Sequence, residues 1–400
     1  MSEVIYVALK MLFGDRGKFA GLVFGIAFTS FLVTFAASYF AGFMTRGFAL
    51  LTENGTADVW VMDPAVSSVD QACNMPWSAL NRVRSVAGVK AVVPLALGTA
   101  EVRFPNGRFQ PFQVIGVDDA TLAGVPPIGN GVSSRLLRQP DTVVVDPGGT
   151  SGKLATPGNS ADQWPHDGPH LEVPSRELRS GDDLLVNDHR VVVVGVSQGV
   201  PRFPPRPLIY LTLGNAERIL PPERRRLTFV LASAAQAVTA PELARRIQEA
   251  TGFRARTSAD FKADTVRWLL VNSEDVGDIA AMLSLALSVG FGVTGIMLYI
   301  FTQENLRQYA VLTAMGTTPR VLLLMVFAQA GICALIGTGL GIGLCGIAGE
   351  AAVRAGYPFR MMWYTPLFGS AMVLVVSVVA AALSARPVLK LRATSVFAAR

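Results

Sequence analysis

Cysteine is nearly missing from this chain: among 400 residues there are only Cys73, Cys333 and Cys345. With two of these thiols inside one apolar run, no disulfide framework of the kind that staples small secreted domains can form, and Cys73 is read as an unpaired bystander. Histidine is as scarce, with 3 residues, and charged side chains make up only 16%. Against these low counts stand 51% hydrophobic residues and a mean hydropathy of +0.41. Such a chain is too apolar for a soluble globule and too charged to lie wholly in lipid. A membrane-crossing helix needs about 20 largely apolar residues; the runs Phe19 to Phe43, Val276 to Phe301, Val321 to Gly349 and Pro366 to Ala385 qualify. Apart from Asp278, at the margin of the second, these runs hold no Asp, Glu, Lys, Arg or His. Carriers driven by ion gradients place titratable or coordinating groups near the bilayer midplane. If this chain moves anything, its energy comes from another polypeptide.

The expected fold is an α-helical bundle of four transmembrane helices with a large mixed α+β extracytoplasmic domain inserted between helices 1 and 2. The divisions are 1–18 (cytoplasmic amphipathic helix), 19–44 (first span), 45–275 (external domain ending in a stalk helix), 276–301 (second span), 302–320 (cytoplasmic segment), 321–349 (third span), 350–365 (short external loop), 366–385 (fourth span) and 386–400 (cytoplasmic tail). The first run is too long for a removable signal peptide and lacks a small-residue cleavage site, so it reads as a signal anchor. Lys10, Arg16 and Lys18, then Arg307 and Arg320, then Arg386, Lys390, Arg392 and Arg400 fall on one side if the helices alternate. The positive-inside bias makes that side cytoplasmic and places both termini there, with a multi-pass protein whose large domain lies on the opposite side. The excess of 35 Lys and Arg over 29 Asp and Glu is thereby explained without nucleic acid.

In the external segment, "ADVWVM", "FQVIGV", "DTVVVD" and "RPLIYLTL" read as strands, and "DDLLVNDHRVVVVGV" as a hairpin turning near Asn187 and Asp188. "PWSALNRVRSV" and "APELARRIQEATG" read as helices, the second with Pro241 at its start and Gly252 at its stop. From Ser258, a candidate N-cap, a helical pattern through Phe261, Trp268 and Leu269 suggests a stalk continuous with the second span. Pro147 to Pro174 reads as a surface loop.

Three motifs invite chemistry and fail a test of context. "PGGTSGKL" has Pro147 and Leu154 where a phosphate-cradling loop needs Gly and Ser or Thr. Gly341, Gly343 and Gly346 spell GxGxxG inside an apolar span, not after a strand. Gly337 with Gly341, and Gly339 with Gly343, instead form small-xxx-small pairs suited to close helix packing. In "WPHDGPH", His166 and His170 with Asp162 or Asp167 could grip a metal, but the Pro- and Gly-broken segment is a poor cage. No cofactor, metal or catalytic constellation is expected, and the chain is read as a non-enzyme. Gln329 and the hydroxyls of Thr29, Ser30, Thr34, Ser284 and Ser288 are expected to knit helices together.

"ENLRQYAVLTAMGTTPR", Glu304 to Arg320, surfaces between two spans. Leu306, Tyr309, Ala310 and Leu312 are spaced for one helical face, with Glu304 and Arg307 one turn apart on the polar side. Such a segment suits a docking ridge, or equally an interfacial connector.

The stretch "FTQENLRQYAVLTAMGTTPRVLLLMVFAQAGICALIGTGLGIGLCGIAG" resembles the core of the FtsX-like permeases, which include macrolide-exporter, lipoprotein-releasing and DevC-type permeases of ABC systems. Arg307, Leu312 or Thr313, Ala314, Gly316 and Arg320 sit where that family expects them, whereas Thr317 and Thr318 depart from its more basic or Ala-rich turn. "VALKMLFGDRGKFAGLVFGIAF" and "ARPVLKLRATSVF" are similar to its N-terminal helix and cytoplasmic tail. "VAGVKAVVPL", "FQVIGVD", "RQPDTVVVD" and "GDDLLVNDHRVVVVGV" resemble its external domain, especially in the DevC-type branch. The resemblance implies the transmembrane subunit of an exporter, working as a homodimer or close heterodimer among membrane lipids with a separate ABC ATPase. It implies that ATPase motion is passed through the stalk to the external domain, with a periplasmic adaptor, an outer-membrane channel and a lipid-like substrate. The residues implied to couple to the ATPase are Glu304, Asn305, Leu306, Arg307, Tyr309, Leu312 and Met315. A second reading is a signalling scaffold that activates a periplasmic enzyme without transport, and a third a receptor with no ATPase.

Overall fold

The computed structural model describes residues 2–69, 71, 73–104, 109–146, 156–157, 175–200, 202, 207–220 and 227–389. The glycine-rich "PGGTSGKL" segment, the His166 and His170 loop and the tail from Lys390 onward lie outside the described residues. The chain forms two compact units, one of Met1–Phe43 with Glu274–Arg400 and one of Met44–Ser273.

The first unit contains α1 (Ser2–Gly14) and most of α2 (Arg16–Gly47). Among the described residues four helices are long and apolar enough to cross a membrane: α2, then Glu274–Glu304, Pro319–Arg354 and a last one assigned to Tyr364–Val388. Each apolar run of the sequence lies inside one of these longer helices. Helices this apolar would be insoluble unless buried or in lipid, so the protein is a membrane protein.

The second unit is built on a nine-stranded mixed sheet. Helix α3 (Ala49–Glu53) leads to β1 (Val59–Met62), then α4 (Ser78–Arg84), β2 (Val89–Arg103), β3 (Phe109–Val117) and β4 (Thr142–Val145). Short β5 (Thr156–Pro157) and β6 (Ser175–Arg176) pair apart from the main sheet. β7 (Asp183–Val186), β8 (His189–Val196), β9 (Leu208–Thr212), α5 (Leu213–Ile219), β10 (Phe229–Ala234), α6 (Ala240–Thr251), β11 (Arg254–Thr257) and α7 (Ser258–Asn272) follow. The strand order is β11-β1-β10-β2-β3-β9-β4-β8-β7, and β2 pairs with β7 as well. β3 with β9 and β4 with β8 run parallel; the other pairs of this sheet are antiparallel. The β7–β8 hairpin turns on Asn187 and Asp188, both left-handed (φ 46° and 65°), as a two-residue turn matching strand twist requires. Asn187 secures it by accepting from the Glu101 amide at 3.0 Å and donating to the Ile219 carbonyl at 3.2 Å.

Trp60, Phe229 and Phe261 form the aromatic centre of one core, with ring centroids 5.3 to 5.9 Å apart. At its edge lies a buried ion pair. Glu53, at the end of α3, accepts from Arg202 at 2.6 Å, from the Tyr210 hydroxyl at 3.0 Å and from the Val200 amide at 3.2 Å. The Arg202 and Glu53 side chains are 11% and 7% exposed. Burial raises the Tyr210 pKa above its ordinary value, against the pull of Arg202, so the phenol stays a donor.

Helix α7 is capped by Thr257, whose hydroxyl accepts from the Asp260 amide at 3.1 Å. The candidate cap Ser258 is instead the first helical residue, its hydroxyl donating to the Ala57 carbonyl. The helix also stops sooner than expected: Ser273 is extended (φ −89°, ψ 123°), so the pattern toward the second span is two helices rather than one stalk. A polar stretch, "NSED", supplies the break.

Within the first unit, α8 (Glu274–Glu304), α9 (Leu306–Ala314), α10 (Pro319–Arg354), α11 (Tyr364–Ser384) and α12 (Arg386–Leu389) complete the chain. Gly337 and Gly341 seat α10 against α2: a Cβ would lie 2.8 Å from Ile26 Cγ2 at the first and 2.4 Å from the Ala27 carbonyl at the second. Gly339 and Gly343 face the opposite way, with nothing within 4 Å. Ser30 donates to the Thr338 carbonyl at 3.3 Å and Ser38 to the Thr365 hydroxyl at 3.1 Å, both between helices. Thr29, Ser284 and Ser288 turn back on carbonyls of their own helices, contrary to the expected knitting role. The loop after α10 folds onto α2, its Arg360 amide donating to the Ser38 carbonyl at 3.1 Å. Phe359 fills the notch left by Gly349, where a Cβ would lie 2.1 Å from its ring, and packs 5.2 Å from Phe35.

Candidate coupling site

The segment between α8 and α10 is a nine-residue helix with ends written into the sequence. Asn305 breaks the path of α8 and turns its amide back onto the Phe301 carbonyl at 2.8 Å. At the far end Gly316 is left-handed (φ 92°), its amide donating to Thr313 O at 3.0 Å while the Thr317 amide donates to Leu312 O at 3.1 Å. That pair of bonds is the Schellman stop, which needs a residue without a Cβ penalty at this position. Pro319 then opens α10 with its φ preset for a helix and no amide left unpaired.

One face of α9 is turned into its own unit. Tyr309 is wholly buried and Ala310 nearly so, with Leu306 and Leu312 half-buried against the same core. The Tyr309 hydroxyl donates to Gln329 Oε1 at 2.9 Å, and Gln329 Nε2 donates to the Ala8 carbonyl at 2.9 Å. Burial pushes the Tyr309 phenol up to about 12, so it holds its proton at neutral pH. Gln329 is the interhelix tie expected of it, though its partners are α9 and α1.

The other face is open. Arg307, Val311 and Met315 are spaced one turn apart, with Val311 45% and Met315 69% exposed. Arg307 makes no ion pair with any described residue. Of the residues implied to couple, Arg307 and Met315 are exposed, Leu306 and Leu312 are half-buried, and Asn305 and Tyr309 are buried. Asn305 and Tyr309 therefore hold the helix in place and offer no surface. Glu304 is the last residue of α8; it pairs with Lys18, which also reaches Asp15 at 2.6 Å, and not with Arg307. Exposure of 37% to 47% makes that cluster weak in energy, though it places α2 beside the start of α9.

Among the described residues no group of His, Cys, Asp and Glu could hold a metal ion. Cys73 is half-exposed and unpaired, and Cys333 and Cys345 are buried thiols.

Comparison with known proteins bears on this region directly. No curated protein matches the chain. Solved structures with similarity include the extracellular domain of the ABC-type transporter YknZ from Gram-positive bacteria, at 12% identity and a TM-score of 0.32, covering 50% of this chain and 98% of that one. The periplasmic region of MacB from Actinobacillus actinomycetemcomitans matches at 13% identity and 0.35, covering 56% and 96%. A domain of a Porphyromonas gingivalis permease protein matches at 13% and 0.30, covering 51% and 90%. The family model of the FtsX-like permease C-terminal domain matches residues 280–393, which span most of α8, all of α9, α10 and α11, and the buried Tyr309 contact. Residues 280–393 thus match the FtsX-like permease C-terminal family.

Proposed function

We propose that this chain is the membrane subunit of an ABC-type exporter, and that α9 is where a separate ATPase engages it. The observation that carries this reading is the division of α9 into a buried face locked on Tyr309 and an open strip of Arg307, Val311 and Met315. Apolar side chains next to an exposed cation, on a short helix between two spans, are better suited to a protein partner than to water. In this reading the chain itself is a non-catalytic subunit. ATP hydrolysis belongs to the partner, and its motion reaches the large unit mechanically. The positive-inside bias of Lys10, Arg16, Lys18, Arg307 and Arg320 supports a topology with α9 and both termini in the cytoplasm and the Met44–Ser273 unit in the periplasm. Gly339 and Gly343 leave a face of α10 open to a second copy. By its resemblance to the DevC-type branch, the assembly includes an adaptor and an outer-membrane channel and exports a lipid-like molecule.

The test pairs Arg307→Glu with Met315→Asp in the chain co-produced with the ATPase of its operon. The double variant should insert normally, lose co-purification of the ATPase and lose export. Retained co-purification and export would sink the assignment of α9. Retained ATPase control of a periplasmic enzyme in the parent chain, with no exported solute, would favour the signalling scaffold.

A further inference from the structure

Gln329 lies ten residues into α10, at a depth where the side chains around it are apolar, and it is 1% exposed. A primary amide there carries two donors and an acceptor that lose water on burial, which is costly unless they are matched. Here its oxygen accepts from Tyr309 of α9 and its nitrogen donates to the Ala8 carbonyl of α1. Two consecutive helices and the distant N-terminal one thus meet at one side chain, and Ala8 and Tyr309 share a buried core with Leu12, Leu22, Leu298, Met325 and Val326. At the surface Lys18 of α2 joins Asp15, which follows α1, to Glu304, which ends α8 just before α9.

We propose that Gln329 is a positioning residue that clamps α1 and α9 onto α10 as one rigid body, so that the N-terminal helix is a working part of the coupling site. Displacement of α9 is then delivered at once to α10, which runs unbroken to Arg354, and to α1. The exposed side of α1 carries Tyr6, Lys10 and Phe13, an aromatic and cationic face suited to the headgroup level of the membrane. The clamp therefore sets the height of α9 relative to the lipid surface. Its part in force transfer rests on the coupling role proposed above; the clamp itself does not.

The two can be tested separately on the full chain in lipid nanodiscs. In a Cys73→Ser background, spin labels on Lys10→Cys and Ala314→Cys, both exposed positions, report the α1–α9 distance without any ATPase. The parent should give one narrow distance distribution. Gln329→Leu removes both hydrogen bonds, and Tyr309→Phe removes one oxygen while keeping the ring, so the second variant stands if the first folds poorly. Losing one partner of a buried hydrogen bond shifts a docking equilibrium by about five- to a hundredfold, and both variants should broaden the distribution. Distributions as narrow as the parent's in Tyr309→Phe and Gln329→Leu overturn the clamp. With the ATPase and ATP present, the variants should still bind the ATPase but lose most of its stimulation. If the parent fails to bind the ATPase, the coupling reading falls while the label distances still decide the clamp.

Discussion

The buried pair of Glu53 and Arg202 offers the sharpest test of how the large unit is held together. Glu53→Ala leaves the Arg202 guanidinium in a site where it is 11% exposed and where Nη1 already has no hydrogen-bond partner among the described residues. It also strips the acceptor from the Tyr210 hydroxyl and the Val200 amide. Removing one member of a buried pair costs about 3–5 kcal/mol, because the other charge stays uncompensated. For a unit of this size each kcal/mol moves the melting temperature by about 2–4 °C, so the expected drop is on the order of 6–20 °C. Arg202→Met should do less harm, since Glu53 keeps two donors, and Glu53→Leu with Arg202→Met should recover much of the loss, as paired removal leaves no stranded charge. Thermal unfolding of the detergent-solubilised chain, followed by tryptophan emission, measures all of these variants. Trp60 sits in the adjoining core. A Glu53→Ala shift below about 2 °C would mean that water reaches the pair and that the buried-charge reasoning is wrong.

Other expectations follow from single contacts. Gly341→Val forces a side chain into the Ala27 carbonyl and should cost about 1–3 kcal/mol in the melting of the membrane unit, whereas Gly343→Ala, with open space around it, should leave that unit's own stability unchanged. Gly316→Val puts a β-branched residue at φ 92°, at a cost of about 1–2 kcal/mol, and should loosen the turn enough to speed tryptic cleavage at Arg320. Asp182 is acidified overall: burial alone would raise its pKa, but the bidentate Arg176 contact at 2.7 and 2.8 Å and the Arg179 amide outweigh it. A carboxylate with a depressed folded pKa stabilises above its unfolded value of about 3.9 and loses that stability as pH falls through the folded one. Denaturant midpoints should therefore fall below about pH 4 in the parent more steeply than in Asp182→Asn.

The helical runs were legible because lipid demands about 20 apolar residues and few other structures do. The Asn187–Asp188 hairpin and the Gly252 stop were legible for a local reason: each is fixed by a backbone conformation that few residues adopt. β2 gave no such signal, since Pro94 and Gly98 interrupt its 15 residues and only its neighbours β10 and β3 make it a strand. The stalk reading failed at Ser273, where apolar spacing resumed across a gap that the backbone did not bridge. In α9 the spacing identified the buried face correctly, yet the side of the helix that stays open could not be told from the partner it faces. The turn "MGTTPR" held more information than composition suggested, because a Gly stop followed by a Pro start defines both helix ends. The Glu53–Arg202 pair was invisible, its members being 149 residues apart.

The loop after α10 has a mechanical meaning for whatever moves this bundle. Phe359 is pressed into the Gly349 notch, the Pro358 carbonyl lies where a Cβ on Gly42 would sit, and the Arg360 amide is bonded to Ser38. At that rim α2, α10 and α11 cannot be prised apart without emptying a filled socket. Trp363 and Tyr364, 79% and 44% exposed beside it, are the residue types that rest at the lipid–water boundary. A push arriving at the opposite rim would then swing the three helices together about this pinned corner, like an oar in its rowlock.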